Sequence, residues 1–260
     1  MPKLPLSQNQ IDEKLRGENL TEWDQLWRAS QGGTSNWELI TAALPFDESK
    51  ELSVLDLCCG PGDLGRYISK RFQKARVNCV DRDPFLLSLC AALNRKSGIM
   101  TQTFVRDMWS AEWCDGLSRD YHVVATAAAL HWFDIRRLSE LFCDIFGLLR
   151  SGGVFLFAEP ASPQPRFAVA LDHEKAGQPD NFDPENYDPE AWDRFWSRAN
   201  ALLGYDHLEV LRGRPVDREE IGDRGIPVLE YVAMLEKAGF ESIDVLRRDS
   251  WNVVLASSKP

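Results

Sequence analysis

The run VLDLCCGPGDLG, residues 54–65, sets an acid inside the end of an apolar segment and follows it with a glycine-rich turn. Val54, Leu55 and Leu57 suit a strand covered on both faces. Gly60 and Gly62 carry no Cβ, so a ligand can come close to the backbone, and both can take a positive φ. Asp63 stands where it would cap a helix carrying Leu64, Tyr67, Ile68 and Phe72. A second acid, Asp81, closes the next apolar segment, RVNCVD (76–81), where a carboxylate can accept two hydrogen bonds from a ribose diol. Together these residues suit a nucleoside. His131 adds an imidazole able to take up a proton near neutrality, just past a later strand. No orienting carboxylate is legible beside it, and a histidine packed on Trp132, or one that only binds substrate, fits the same position.

The elements that must position these groups alternate. Strands are expected near 52–57, 76–81, 102–106, 122–127 and 153–158, with helices between them. Asp83-Pro84 reads as cap and first residue of one helix. Asp134 reads as the cap of another, in which Ile135, Leu138, Phe142 and Ile145 recur at helical spacing. Such alternation implies an α/β, Rossmann-like, mostly parallel sheet with right-handed crossovers and helices on both faces.

Gly60, Gly62 and Gly65 also satisfy the dinucleotide pattern G-x-G-x-x-G, with Asp81 at a suitable distance, so an NAD-dependent oxidoreductase is one alternative. Asp56 argues against it, because a buried negative charge there would face a pyrophosphate. The chain resembles the class I S-adenosylmethionine-dependent methyltransferases over most of its length. Asp56, Cys59, Gly60 and Gly62 match that family's first motif, with Cys58 where a first glycine is usual. VDRDP resembles the second motif, which implies Asp81 on the ribose hydroxyls and Arg82 beside the adenine. FVRDM (104–108) resembles the third, which implies Asp107 accepting from the adenine amine and Met108 giving a backbone contact. YHVVATAAALHWF (121–133) looks like the fourth strand, with His122 in place of an acid and Ala127 in place of a frequent Asn. LLRSGGVFLFAEP (148–160) and LEKAGFESIDVLRRDSWNVVLASSK (235–259) resemble the fifth strand and the terminal helix and hairpin.

The resemblance implies a seven-stranded sheet with an antiparallel last strand, and S-adenosyl-L-methionine as cofactor. It implies methyl transfer to a small-molecule acceptor; a non-catalytic module binding the same cofactor is a second alternative. Asp56 would meet the methionine ammonium, or otherwise hold loop amides. His131 is the candidate base. Glu159 is expected to anchor a loop rather than react.

Two regions flank this core. Residues 1–45 are expected as a helical extension on a domain spanning 46–260; Trp23, Leu26 and Trp27 share a face there. Arg28 could pair with the methionine carboxylate if this segment closes over the cofactor. An insertion spans 159–227, too long for a simple connection, and six of the chain's fourteen prolines fall at 160, 163, 165, 179, 184 and 189. A helix there is expected to start at Asp188-Pro189 and end at Gly204, forming either a lid over the acceptor site or a subdomain burying its own tryptophans. Residues 172–194 hold eight acids against Lys175 and Arg194, which reads as a solvated face.

The formal charge of -10 and pI near 5.0 argue against nucleic acid or an anionic membrane as partner. No apolar run is long enough to span a bilayer and no signal peptide is legible, so the cytoplasm is the expected location. The six cysteines show no ligand spacing, and five of them, in or beside apolar segments, read as reduced core residues, with no metal expected. Oligomeric state is left open.

Overall fold

The computed structural model describes residues 6–31, 35–162, 188, 190–211, 225–249 and 252–260. Three helices come first: α1 (Gln8–Leu15), α2 (Leu20–Ser30) and α3 (Ser35–Ala42). Then follow β1 (Ser53–Leu57), α4 (Asp63–Arg71), β2 (Arg76–Asp81), α5 (Pro84–Lys96), β3 (Thr101–Val105), β4 (Tyr121–Ala127), α6 (Ile135–Leu148) and β5 (Leu149–Pro160). The chain continues through α7 (Ala191–Leu203) and α8 (His207–Leu211) to α9 (Val228–Ala238), β6 (Glu241–Arg248) and β7 (Asn252–Ser258). Strands and helices fall within a few residues of their expected places, and the terminal hairpin forms.

The seven strands lie in the order β3-β2-β1-β4-β5-β7-β6. All neighbours are parallel except that β7 runs antiparallel between β5 and β6. Strand order reverses between β1 and β4, which opens a crevice at the carboxyl ends of those strands. Side chains alternate across the sheet with period two. Leu55, Leu57, Val124, Phe155 and Phe157 join one buried cluster, whereas Val54, Val77, Val123 and Leu156 join the other.

Local chemistry starts the helices. Asp83 Oδ1 accepts from the amides of Phe85 and Leu86, and Asp134 from that of Arg137, so both act as caps ahead of α5 and α6. Asp63 does not cap. Gly62, at φ 81°, occupies the cap position of α4, and Asp63 is the first helical residue, its side chain taken by arginines. The insertion helix α7 begins after Glu190, two residues beyond the expected Asp188-Pro189 start, and ends at Gly204 with φ 83°. Most of the acidic run at 172–194 lies outside the described residues.

A third buried cluster joins parts far apart in sequence: Ile11, Trp23, Phe85, Leu89, Phe195 and Ala199. Trp23 meets Phe85 and Phe195 edge-on, at centroid distances of 5.4 and 5.2 Å. Helices α1 and α2 therefore pack with the insertion helix α7 over α5. Helix α3 instead packs on the sheet through Trp37 and Ile40, so residues 1–45 divide between two cores.

Candidate active site

A cleft of about 930 Å³ opens at the carboxyl ends of the central strands. Asp56, Cys58, Gly60, Asp81, Arg82, Asp107, Met108, Ala127 and His131 all line it. Of the residues expected to bind the cofactor or act in catalysis, Gly62 and Arg28 do not. Strand register aligns the acids at the mouth of the sheet: Asp56 pairs across to Cys79 and Ala125, and Asp81 to Val105.

The two strand-end acids are almost fully buried and held by backbone. Asp56 Oδ2 accepts from the Gly65 amide at 2.8 Å, in the first turn of α4. Burial, helped by the nearby Cys90, pushes its carboxyl well above the usual range. Asp81 accepts from the amides of Gly60 (Oδ2, 2.8 Å) and Asp83 (Oδ1, 2.9 Å). Burial, then the Asp83 charge, pushes it up to about 6. Asp107 accepts from the Trp109 amide at 3.1 Å. The Met108 carbonyl accepts from Arg137 Nε at 2.7 Å, so that backbone atom is already engaged. Arg82 donates to the Leu211 carbonyl of α8. Cys58 lies at φ 53°, in the left-handed region where glycine is favoured, so the thiol stands in a strained backbone position.

Neither glycine presents its bare side to open cleft. A Cβ on Gly62 would stand 2.5 Å from Cys90 Sγ, and one on Gly60 would stand 3.1 Å from the Trp27 ring. The absent side chains let α5 and the Trp27 indole approach the turn; Gly62 makes room for Cys90 away from the cleft, whereas Gly60 lines it. Four charges then tie α2 to the turn. Arg66 reaches Asp24 and Asp63 at 2.8 Å each and donates to the Pro61 carbonyl. Arg28 Nε lies 3.1 Å from Asp63 and 3.3 Å from Asp24. The Arg28 guanidinium is thereby engaged by protein carboxylates.

On the opposite wall, His131 Nδ1 lies 2.9 Å from Glu159 Oε2. Glu159 is buried at the end of β5 and also accepts from the amides of Ala129, Leu130 and His131. The carboxylate thus anchors the turn after β4, as expected, and orients the imidazole as well. Since a carboxylate only accepts, Nδ1 carries the proton and Nε2 is left as the basic nitrogen. The His131 ring also stacks obliquely on Trp132, at 5.2 Å. Sequence inspection missed this pair because 28 residues separate its members; the signal available was an acid ending β5 beside β4 in the sheet.

Other groups went unread. His207 Nε2 lies 2.8 Å from Asp83 Oδ1, both buried, pinning α8 to the start of α5. Trp27, Trp37, Trp109, Trp132, Trp192 and Trp196 supply much of the cleft wall, two of them from the insertion. Asp63 Oδ2 and Asp83 Oδ2 are buried without a hydrogen-bond partner on residues that line the cleft. Orphaned acceptors beside strand-end carboxylates and aromatic walls fit a cationic, donor-bearing nucleoside. They oppose a pyrophosphate.

Residues 54–153 match the family model described as a methyltransferase domain. A trans-aconitate 2-methyltransferase of Mycobacterium ulcerans is 35% identical over 79 residues, which is 30% of this chain and 26% of that protein. The chain thus spans about a quarter of the length of the first curated relatives it matches. Among solved structures, an O-methyltransferase family protein from Burkholderia thailandensis superposes with TM-score 0.59 at 15% identity, over 87% of this chain and 56% of that one. A geranyl diphosphate C-methyltransferase from Streptomyces coelicolor A3(2) gives 0.56 at 14%, over 87% and 79%. At these identities the structural likeness is one of fold. Residues 54–153 are thus similar to a methyltransferase domain, and the fold is one that methyltransferases of known structure share.

Proposed function

We propose that this protein transfers a methyl group from S-adenosyl-L-methionine to a small-molecule acceptor. The observation that carries this reading is the convergence, in one cleft, of Asp56, Asp81 and Asp107 at successive strand ends with the His131–Glu159 pair facing them. Asp81 would hold the ribose hydroxyls, Asp107 and the Met108 backbone the adenine, with Arg82, Cys58 and Ala127 alongside. Asp56 and Asp63 would face the methionine ammonium. The sulfonium supplies an already activated methyl group, so little covalent help is required from the protein.

The side chains then have three tasks. The aspartates and the Gly60 turn fix the donor's position, and orientation of this kind can contribute up to ~7–11 kcal/mol in favourable cases. The tryptophan wall excludes water from the reacting atoms. His131 Nε2 takes the proton from a protic acceptor, and Glu159 holds the ring for that role without itself reacting. Six indoles around the cleft suit an acceptor that is flat and largely apolar, carrying a hydroxyl or a similar nucleophile. The six unpaired cysteines suit a reducing compartment such as the cytoplasm.

Calorimetry with S-adenosylhomocysteine and with NADH tests the donor assignment, and the expected result is binding of the first alone. Transfer of labelled methyl to a panel of small aromatic hydroxyl compounds tests the reaction. Binding of NADH in preference to S-adenosylhomocysteine would overturn the proposal; cofactor binding with no labelled product across the panel and a metabolite extract would favour a non-catalytic module.

A further inference from the structure

Three cysteines from separate elements meet directly behind the Gly60 turn. Cys59 comes from the turn itself, Cys79 from β2 two residues before Asp81, and Cys90 from α5. Their sulfur atoms all lie within 4.8 Å of one another. Cys79 and Cys90 are wholly buried, whereas Cys59 lines the cleft and so opens a path to the other two. Gly62 makes room for the cluster, since a Cβ there would stand 2.5 Å from Cys90 Sγ. Asn94, 1% exposed, donates to Cys90 Sγ at 3.3 Å while its own Oδ1 has no partner.

We propose that Cys59, Cys79 and Cys90 form a three-coordinate thiolate site for a soft monovalent ion, of which Cu(I) is the type. This assignment is independent of the methyl-transfer reading. Thiolates select soft ions, and a metal–sulfur distance of about 2.3 Å in a trigonal plane sets the sulfur atoms about 4.0 Å apart. The sulfurs therefore need to contract by less than about an ångström. The group has three members among the described residues, whereas zinc in closed sites takes four ligands. Binding forms three metal–sulfur bonds, with each thiol proton released to solvent and no change in oxidation state. The bound ion would staple the turn to β2 and α5. It would thereby fix the segment in which the Gly60 amide meets Asp81 and the Gly62 amide meets the Cys59 carbonyl.

The test uses the full chain, reduced and metal-free, titrated without oxygen with Cu(I) as its acetonitrile complex against a competing chelator. One ion per chain should remain after desalting, with thiolate-to-copper charge-transfer absorption. Cys79→Ser and Cys90→Ser should each weaken binding by more than about tenfold, while Cys143→Ser leaves it unchanged. X-ray absorption on the wild-type loaded protein needs no variant and should show three sulfur neighbours at about 2.3 Å. Retention unaffected by Cys79→Ser and Cys90→Ser, a shell of nitrogen or oxygen atoms, or tighter binding of Zn(II) in the same titration format would each overturn the site.

Discussion

Lowering the pH from about 7.5 to about 5 is expected to weaken binding of S-adenosylhomocysteine by about tenfold through Asp81 alone. Burial and the neighbouring Asp83 charge place the Asp81 carboxyl at about 6. One unit below that value, roughly nine carboxyls in ten carry a proton, and a protonated acid no longer offers two accepting oxygens to a ribose diol. The loss is about 1.4 kcal/mol of binding. Stability of the ligand-free chain moves the other way. Because the folded value lies above the ordinary one of 3.8, the folded chain holds this proton more tightly than the unfolded chain does. The stabilisation is complete below about 3.8 and is lost as the pH rises through about 6, a swing of roughly 3 kcal/mol. Asp56 and Asp63, also raised by burial, add to stability with the same sign. Asp81→Asn separates them. Its amide can accept from only one of the Gly60 and Asp83 amides, so affinity at neutral pH should fall by ~1.5–3 kcal/mol, and the pH slope should lose one proton. Calorimetry across this range, paired with thermal melts of the free protein, checks both trends. A wild-type affinity that is flat with pH, or a slope that Asp81→Asn leaves intact, would refute the reasoning.

Glu159→Gln should lower kcat by roughly 10²–10⁴-fold with KM and cofactor affinity little changed, because an amide facing His131 donates to Nδ1 and moves the proton to Nε2. Nitrogen-15 shifts of His131 read that tautomer directly, and an unshifted spectrum would remove the orienting role. Arg28→Ala should change S-adenosylhomocysteine affinity by less than about threefold, since its guanidinium is held by Asp24 and Asp63 and does not line the cleft; a much larger loss would restore Arg28 to the ligand. Gly62→Ala should destabilise the fold by more than about 1–2 kcal/mol in denaturant titration, because it combines a left-handed backbone with a clash on Cys90. A neutral effect there would mean that the turn and α5 are not held together as the structure has them.

Much of the architecture was legible because its causes are local. Apolar segments of strand length, Asp83-Pro84 and Asp134 ahead of helical repeats, and glycines past the last helical residue each act within a few residues. Asp56, Asp81 and Asp107 could be placed at strand ends for the same reason. Local reading failed at Asp63: Gly62 holds the cap position, and Arg66 from the next turn together with Arg28 from α2 takes the carboxylate. It failed again at Gly62, whose bare side accommodates Cys90 away from the cleft.

The amino-acid sequence by itself determined the order and type of the elements, and which acids and glycines stand at their ends, since periodicity and caps are short-range. Only the tertiary structure decided which distant groups meet: Glu159 with His131, His207 with Asp83, α2 with the insertion helix, and Cys59 with Cys79 and Cys90. Those meetings depend on strand order and register, which place side chains within hydrogen-bond or van der Waals reach regardless of their separation along the chain.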